Sequence, residues 1–370
     1  MQHQPGFKMR HYFGLFLLLM LCSCSNDTQA EKPHAVKSVT AIDIKAKNII
    51  ALNHSNCLLS EKSEIFCWEA KKQGPVQAGE LKQVDLGGNK ALNIYGNSGD
   101  EHYFNTGYHG CALLENNSIR CWGKISEDSV FDADSIFDTP SRKENNDLIA
   151  SYAVKKSILK KMGRIKKLVT NHGVVCSIDN KNTLYCPHPH LAFLNGKADI
   201  KSAVIGEILS CLQNTEDEIE CYDMRGGSDK KPVYLNINGE SWPKYFDFRY
   251  VYSAGITFIA NNGGALYWQG SIPQWDKFPG VYGIESSPIK LAKNVKATAI
   301  HMSETTTCLQ LDDGSATCWG QPIGENNAKG IISAPGLIVK FNNRKIIDIA
   351  LGLTSNCFLL SDSTIECFIP

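Results

Sequence analysis

The sequence predicts an all-β chain, a seven-bladed β-propeller with a helical insertion in one inter-blade loop. Three observations lead there. A pair of cysteines ten positions apart occurs six times, as Cys57/Cys67, Cys111/Cys121, Cys176/Cys186, Cys211/Cys221, Cys308/Cys318 and Cys357/Cys367. A seventh copy, AGITFIANNGGALYWQG, has Thr257 and Tyr267 at the paired positions and keeps Trp268 where other copies hold Trp68, Trp122 and Trp319. The first paired positions fall at 57, 111, 176, 211, 257, 308 and 357, in steps of 54, 65, 35, 46, 51 and 49 residues. Self-similarity at a period of about 50 residues marks an architecture in which each unit buries its face against the next.

At the N-terminal end, Lys8 and Arg10 precede the apolar run from Tyr12 to Leu21. That run is too short for a permanent bilayer span and has the order of a secretory signal. It ends in LCSCSN, where Leu21 stands three places before Cys24 with small residues between. This resembles the bacterial lipobox, and the resemblance implies a signal peptide over residues 1–23 and acylation of Cys24, with palmitate among the chains. Cys22 is the weaker alternative, because the bulky Leu21 would stand directly before it. Ser25 after the lipidated position resembles lipoproteins sorted to an outer membrane. Several acyl chains anchor stably where one is marginal. Residues 24–35 then read as a polar tether and 36–370 as the propeller.

Removing the signal clears the cysteine count. Of 14 cysteines, Cys22 leaves with the signal and Cys24 takes the lipid, so twelve remain in six equal pairs. An exported chain meets an oxidising compartment, where such pairs are read as disulfides. Zinc hairpins place ligands two to four residues apart, and no Cys-x-x-Cys redox motif is present. Charge adds little. Lys8 and Arg10 are lost from 38 basic residues against 38 acidic ones, which leaves a slightly acidic chain without the basic excess of a nucleic-acid binder.

The ten-residue offset has a geometric origin. If positions i and i+10 oppose each other in an antiparallel hairpin, a three-residue loop remains, and its third residue prefers the left-handed region. That place holds Gly314 in Asp312-Asp313-Gly314 and Gly263 in Asn261-Asn262-Gly263. Elsewhere it holds Asn117, Asn182 and Asp217, which tolerate positive φ, while Ser63 and Ser363 fit less well. Opposed Cα atoms lie about 4.5–5.5 Å apart, within disulfide reach. Upstream, Ile165–Thr170, Lys296–His301 and Lys345–Leu351 are β-rich, and proline-flanked strands such as Pro232-Val233 and Pro288-Ile289 precede the next copy. About four short strands per unit, repeated radially, make a propeller.

The units resemble repeats of the regulator of chromosome condensation family. The likeness is clearest at His109-Gly-Cys111-Ala-Leu-Leu with Cys121-Trp122-Gly123, and again at Cys308 to Gly314 with Cys318-Trp319-Gly320. The glycine-rich loop that follows Trp-Gly in that family is missing or degraded here. The resemblance implies seven blades over about residues 38–370 and action by protein contact, since related propellers include an exchange factor and a secreted β-lactamase inhibitor. The last copy ends at Pro370, and Val36–Asp43 resembles the strand it lacks, so this segment is expected to complete the final blade.

The longest step holds an insertion at about 124–162. Its first half, SEDSVFDADSIFDTP, mixes acidic residues with Val130, Phe131, Ile136 and Phe137. Asp132 and Asp134 have the chemistry of calcium ligands, but a solvated loop is the commoner arrangement. The second half, NDLIASYAVKKSILKKMG, reads as an Asn-capped helix with Leu148, Tyr152 and Leu159 on one side and a basic last turn. Phe131, Phe137, Leu148 and Tyr152 are the candidate partner-binding residues. Trp242 and the aromatic Tyr245–Tyr252 form a second candidate contact region, for which blade packing is the commoner role.

Catalytic motifs are sparse. There is no GxSxG, HExxH or phosphate loop. His54, His109 and His172 stand near first cysteines, and His188 and His190 lie in the proline-rich CPHPH. No cofactor or metal is expected. Two function classes follow: a membrane-anchored binding protein recognising a protein or envelope glycan, or an enzyme acting on envelope or extracellular polymers at the central channel. Carboxylates or histidines from several blades at one mouth would favour the enzyme. An apolar, aromatic loop face would favour binding.

Overall fold

Six of the seven hairpins turn in one way. The third loop residue takes φ between 60° and 83° at Ser63, Asn117, Asn182, Asp217, Gly314 and Ser363. In each, its N–H donates to the carbonyl three residues back, as Ser63 to Ser60 (3.0 Å) and Ser363 to Leu360 (2.8 Å). The two serines, the poorer fits by residue type, adopt the same turn, because the ladder on either side fixes the backbone. The Asn261–Gly263 loop lies outside the described residues.

The computed structural model describes residues 44–52, 55–70, 81–96, 109–123, 136–138, 151–171, 174–205, 209–224, 232–233, 245–251, 255–260, 265–268, 286–289, 295–303, 306–320, 332–352 and 355–368. The chain divides into Met1–Lys37 and Ser38–Pro370, and the described residues belong to the second unit. They form seven antiparallel sheets in chain order, all-β as expected.

The first sheet is Ala46–Leu52, Ser55–Ser60, Ile65–Glu69 and Lys82–Gln83, each strand beside the next. All six disulfides are formed, Cys57–Cys67, Cys111–Cys121, Cys176–Cys186, Cys211–Cys221, Cys308–Cys318 and Cys357–Cys367, with Cα separations of 4.0–4.3 Å. Five of these pairs oppose each other in the strand ladder, as Cys57↔Cys67 and Cys211↔Cys221. The cysteine-free copy keeps the register, Thr257↔Tyr267. The hydrogen-bonded pair Ser60/Glu64 fixes the alternation, which makes Cys57/Cys67 a close, non-hydrogen-bonded pair.

The third copy corrects the expected hairpin in detail, while the fourth keeps it. Cys186 is not a strand residue: its strand, Leu184–Tyr185, stops one place before it. Pro187 follows and cannot donate to a ladder, so the Cys186 N–H turns instead to the Asn195 side chain (2.6 Å). Cys221 does lie in a strand, Ile219–Asp223, with Cys211 on one side and Val233 on the other. Cys186, Cys221 and Cys367 lack the tryptophan that follows the second paired position in the other four copies. Tyr222 takes that place after Cys221, is buried, and packs against Cys186 of the preceding sheet.

Three sheets depart from four strands: the second and third, around the insertion and the prolines, and the last, which has three. In the third sheet the fourth place is taken by a 3₁₀ turn, Pro189–Leu194, with Leu191 and Leu194 buried. Pro187 and Pro189 have no N–H to give a ladder. In the second sheet the insertion itself supplies strands: Ser151–Val154 pairs with Ile119–Gly123, and Phe137–Asp138 pairs outside it. The expected helix is therefore shorter, Lys156–Met162. Tyr152 sits opposite Cys121, since SYAV alternates inward and outward side chains as a strand does.

The first strand of each sheet is the innermost. These strands neighbour one another in sequence order, and that of the last sheet, Ile346–Leu351, lies beside Ala46–Leu52 of the first. The hydrophobic core is divided among the gaps between sheets. Leu52, Cys57 and Ile65 of the first pack with Ala91, Ile94 and Trp122 of the second. Ala46, Leu58 and Trp68 of the first pack with Ala350, Cys357 and Leu359 of the last. The Trp122 indole donates to Cys57 Sγ at 3.4 Å, so Trp122, like Trp68 against the last sheet, bridges blades. The segment Val36–Asp43, expected to close the last blade, lies outside the described residues.

Turn carbonyls join the blades. Ser63, Asn182 and Gly314 accept from the first N–H of the next inner strand, at Ala91 (3.0 Å), Ile200 (2.8 Å) and Ile346 (2.9 Å). At Asn117 the side chain does this, accepting from Ile165 N–H (2.8 Å) and donating to Gly163 (2.9 Å). Gly314 is required twice over: its φ is 83°, and a Cβ there would lie 2.6 Å from Lys345.

Candidate interaction surface

Two of the candidate partner-binding residues are buried. Phe137 and Tyr152 are 3% and 5% exposed and pack with Ile119, Val154 and Met162 between the second and third sheets. This corrects the expectation that they face a partner: their strands extend the blade, and burying an aromatic ring there is worth more than leaving it in water. Phe131 and Leu148 lie outside the described residues, as do Cys24, His54 and His172. Tyr245–Val251 is the inner strand of the fifth sheet.

The paired cysteines hold the blades and offer no free thiol. Cys186 and Cys221, whose surroundings differ most from the repeat pattern, are both buried and bonded to Cys176 and Cys211. Their role is structural, as that of the other pairs is.

His109 is fully buried at the start of its strand, and neither ring nitrogen has a partner. Burial pushes its pKa down from 6.5 to about 4. The unfolded chain protonates this group below pH 6.5 while the native state resists. Stability is therefore full above pH 6.5 and falls as pH drops toward 4, by up to about 3 kcal/mol. His109→Leu is expected to remove that acid-labile component. A denaturant titration at several pH values checks it, and an unchanged pH profile would count against the assignment.

His188 and His190 stack with ring centroids 5.6 Å apart. Burial, and then the charge of His190, lowers the pKa of His188 to about 4. Among the described residues no three His, Cys, Asp or Glu side chains come together as a metal-holding group.

The inner strands build a rim. Each begins with a β-bulge after its first residue, as in the register shifts Ala46/Asn48, Ala91/Asn93, Ile165/Lys167 and Ile346/Asp348. A bulge leaves one residue unpaired and re-aims its side chain. The bulged residues Lys47, Leu92, Lys166, Lys201, Thr298 and Ile347 are all exposed. The residue before each of these strands is exposed too, and is Lys45, Lys90, Arg164, Asp199, Lys296 or Lys345. Their carbonyls accept the first N–H of their own blade's turn, as Lys45 from Glu61 (2.9 Å) and Lys296 from Asp312 (2.9 Å). Turns and strand entries therefore share one end of the channel.

Just inside the rim runs a polar belt. Asn48 donates to Asn93 (3.2 Å), Lys167 to Ser202 (3.3 Å), and Asp348 accepts from Ile49 N–H (3.0 Å). His301 lies 4.0 Å from Asp348. Sequence reading missed both rim and belt because their residues are one per blade, far apart in the chain. The signal available was a basic residue two places before the bulge in five of these six strands, with Asp199 the exception.

Repeated stapled sheets around a belted channel, with turns gathered at one mouth, define a β-propeller. No family model matches the sequence, and no curated protein matches it. Solved structures do match in fold. They include human WBSCR16 (10% identity, TM-score 0.56, covering 89% of this chain and 88% of that one). Prp20p from Saccharomyces cerevisiae follows (12%, TM-score 0.53, 87% and 82%), as does yeast RCC1 (Prp20) with Kap60 bound (13%, TM-score 0.53, 87% and 79%). The chain has the RCC1-type β-propeller fold.

Proposed function

We propose that this chain is a lipid-anchored protein of the bacterial cell envelope, most naturally of the outer membrane, whose propeller binds a protein partner at the rim. The single observation that carries the binding reading is the rim itself, which presents exposed side chains from successive blades at one end. The similar propellers support it by analogy: Prp20p is described with binding properties toward Gsp1p and histones, and yeast RCC1 with Kap60 bound to it. Anchoring rests on the lipobox-like LCSCSN, with Cys24 as the acylated residue, residues 1–23 as the signal and 24–35 as the tether.

Two measurements test this. Metabolic labelling with palmitate is expected to mark the wild-type chain and not Cys24→Ala, which should leave the membrane fraction. A photo-cross-linking amino acid at Leu92 or Ile347 is expected to yield a protein adduct in cells, while one at Lys82, on an outer strand, yields none. Adducts only from Lys82, or only to glycan, would overturn the rim as a protein-binding surface.

A further inference from the structure

The rim combines two kinds of group that seldom share an exposed surface. Seven of its cations, Lys45, Lys47, Lys90, Arg164, Lys166, Lys296 and Lys345, are exposed and have no ion-pair partner among the described residues, Lys166 donating instead to the Asn182 side chain. Lys201 is the exception, bound to Asp217, and Asp199 is the one acid at these positions. The whole chain carries 38 basic and 38 acidic residues, so the cations are concentrated by position and not by an overall excess. Like charges gathered around one mouth repel one another in the free protein and create a positive field there, which an anionic ligand relieves. The short helix Lys156–Met162 adds Lys160 and Lys161 just before Arg164, in the same sector.

The second kind is apolar. Among the described residues three large hydrophobic side chains are exposed: Leu92 (47%), Ile347 (46%) and Ile338 (59%). Two of them occupy the same bulge position on different blades. Ile347, Lys47 and Leu92 stand at that position on the last, first and second sheets, which are consecutive neighbours. A strand entry facing water has no structural need of Leu or Ile, since the buried positions beside them, Ala91, Ile94, Ile346 and Ile349, already supply the core.

Resting on the protein-binding reading above, we infer that this mouth recognises an acidic peptide segment that also carries aliphatic side chains, presented by a partner protein. Carboxylates answer the unpaired lysines, and Leu- or Ile-type side chains cover Leu92 and Ile347. A nucleic acid or sulfated glycan would use the cations and leave both apolar residues wet. A lipid surface would need a broader apolar face than two side chains among lysines. The turn acids Glu61, Glu115 and Asp312 lie one step outward, their N–H groups bonded to the carbonyls of Lys45, Lys90 and Lys296. They disfavour an acidic ligand on the outer turns and so direct it to the mouth.

The experiment uses residues 25–370, without the acyl anchor, so that vesicle binding reports the mouth and not lipid insertion. Its probes are a fluorescent peptide alternating Glu and Leu, polyglutamate, heparin, and vesicles of phosphatidylglycerol. The Glu/Leu peptide is expected to bind tightest, with affinity falling as salt rises. Lys47→Glu combined with Lys345→Glu should weaken it on the order of tenfold. Leu92→Ser combined with Ile347→Ser should erase the preference over polyglutamate while leaving polyglutamate binding as it was. All four sites are exposed, and unchanged melting temperatures confirm intact folds. Tighter binding of heparin or vesicles, or peptide binding indifferent to both double variants, overturns the inference. If the peptide fails to bind while Leu92 and Ile347 still cross-link to a protein in cells, the acidic chemistry is wrong and the protein-binding reading stands.

Discussion

Replacing Trp122 by alanine is expected to destabilise the protein by about 3–5 kcal/mol. The ring is fully buried in the cluster that joins the first and second sheets. It donates to Cys57 Sγ on the neighbouring blade, so truncation opens a cavity at an inter-blade seam and removes that contact. Gly110 lies directly opposite, and a Cβ there would come within 2.6 Å of the ring. Gly110→Val should therefore destabilise by overpacking the same seam, by about 1–3 kcal/mol. Urea unfolding checks both. A Trp122→Ala midpoint equal to wild type would show that the seam does not hold the blades together.

Full reduction of the six disulfides is expected to have the other large effect. Each bond closes a short loop and contributes about 2–3 kcal/mol in the chain-entropy account. Whole domains are stable by only about 5–15 kcal/mol, so loss of several bonds leaves little native population. The order of reduction should follow access. Eleven of the twelve cysteines are buried, Cys186 and Cys221 among them, whereas Cys367 is only partly so. Thiolate attack requires contact with a sulfur. Cys357–Cys367 should open first in native protein, and the others only with denaturant. Timed alkylation and peptide mapping follow this, together with near-ultraviolet circular dichroism. A reduced chain that keeps its native spectrum and melting temperature would refute the stabilising role. The copy at Thr257 and Tyr267 already shows that a blade hairpin keeps its register without the bond.

Much of the propeller was legible because its determinants are local. The i/i+10 cysteine pairing, the left-handed third loop residue and the apolar inner strand are all set within a span of about 20 residues, where turn chemistry and strand alternation act. The insertion was harder. NDLIASYAVKKSILKKMG satisfies a helical pattern along its length, yet Ser151–Val154 is a strand because the open edge of Ile119–Gly123 offers it a ladder. Only the segment beyond, Lys156–Met162, winds as a helix. Phe137, in an acidic loop, and Tyr152, on one side of an expected helix, read as contact residues; as strand residues both turn their rings into the core.

The sequence by itself determined the repeat, the cysteine partners and the turn geometry, since each depends on residues close in the chain. Tertiary structure decided which side chains meet across blades and which face water. Lys47, Leu92 and Ile347 are separated by up to 300 positions, and nothing local marks them as neighbours. They come to one mouth because every inner strand carries a bulge at the same place and because the last sheet packs against the first. A surface assembled from one residue per blade exists only once the blades are set side by side.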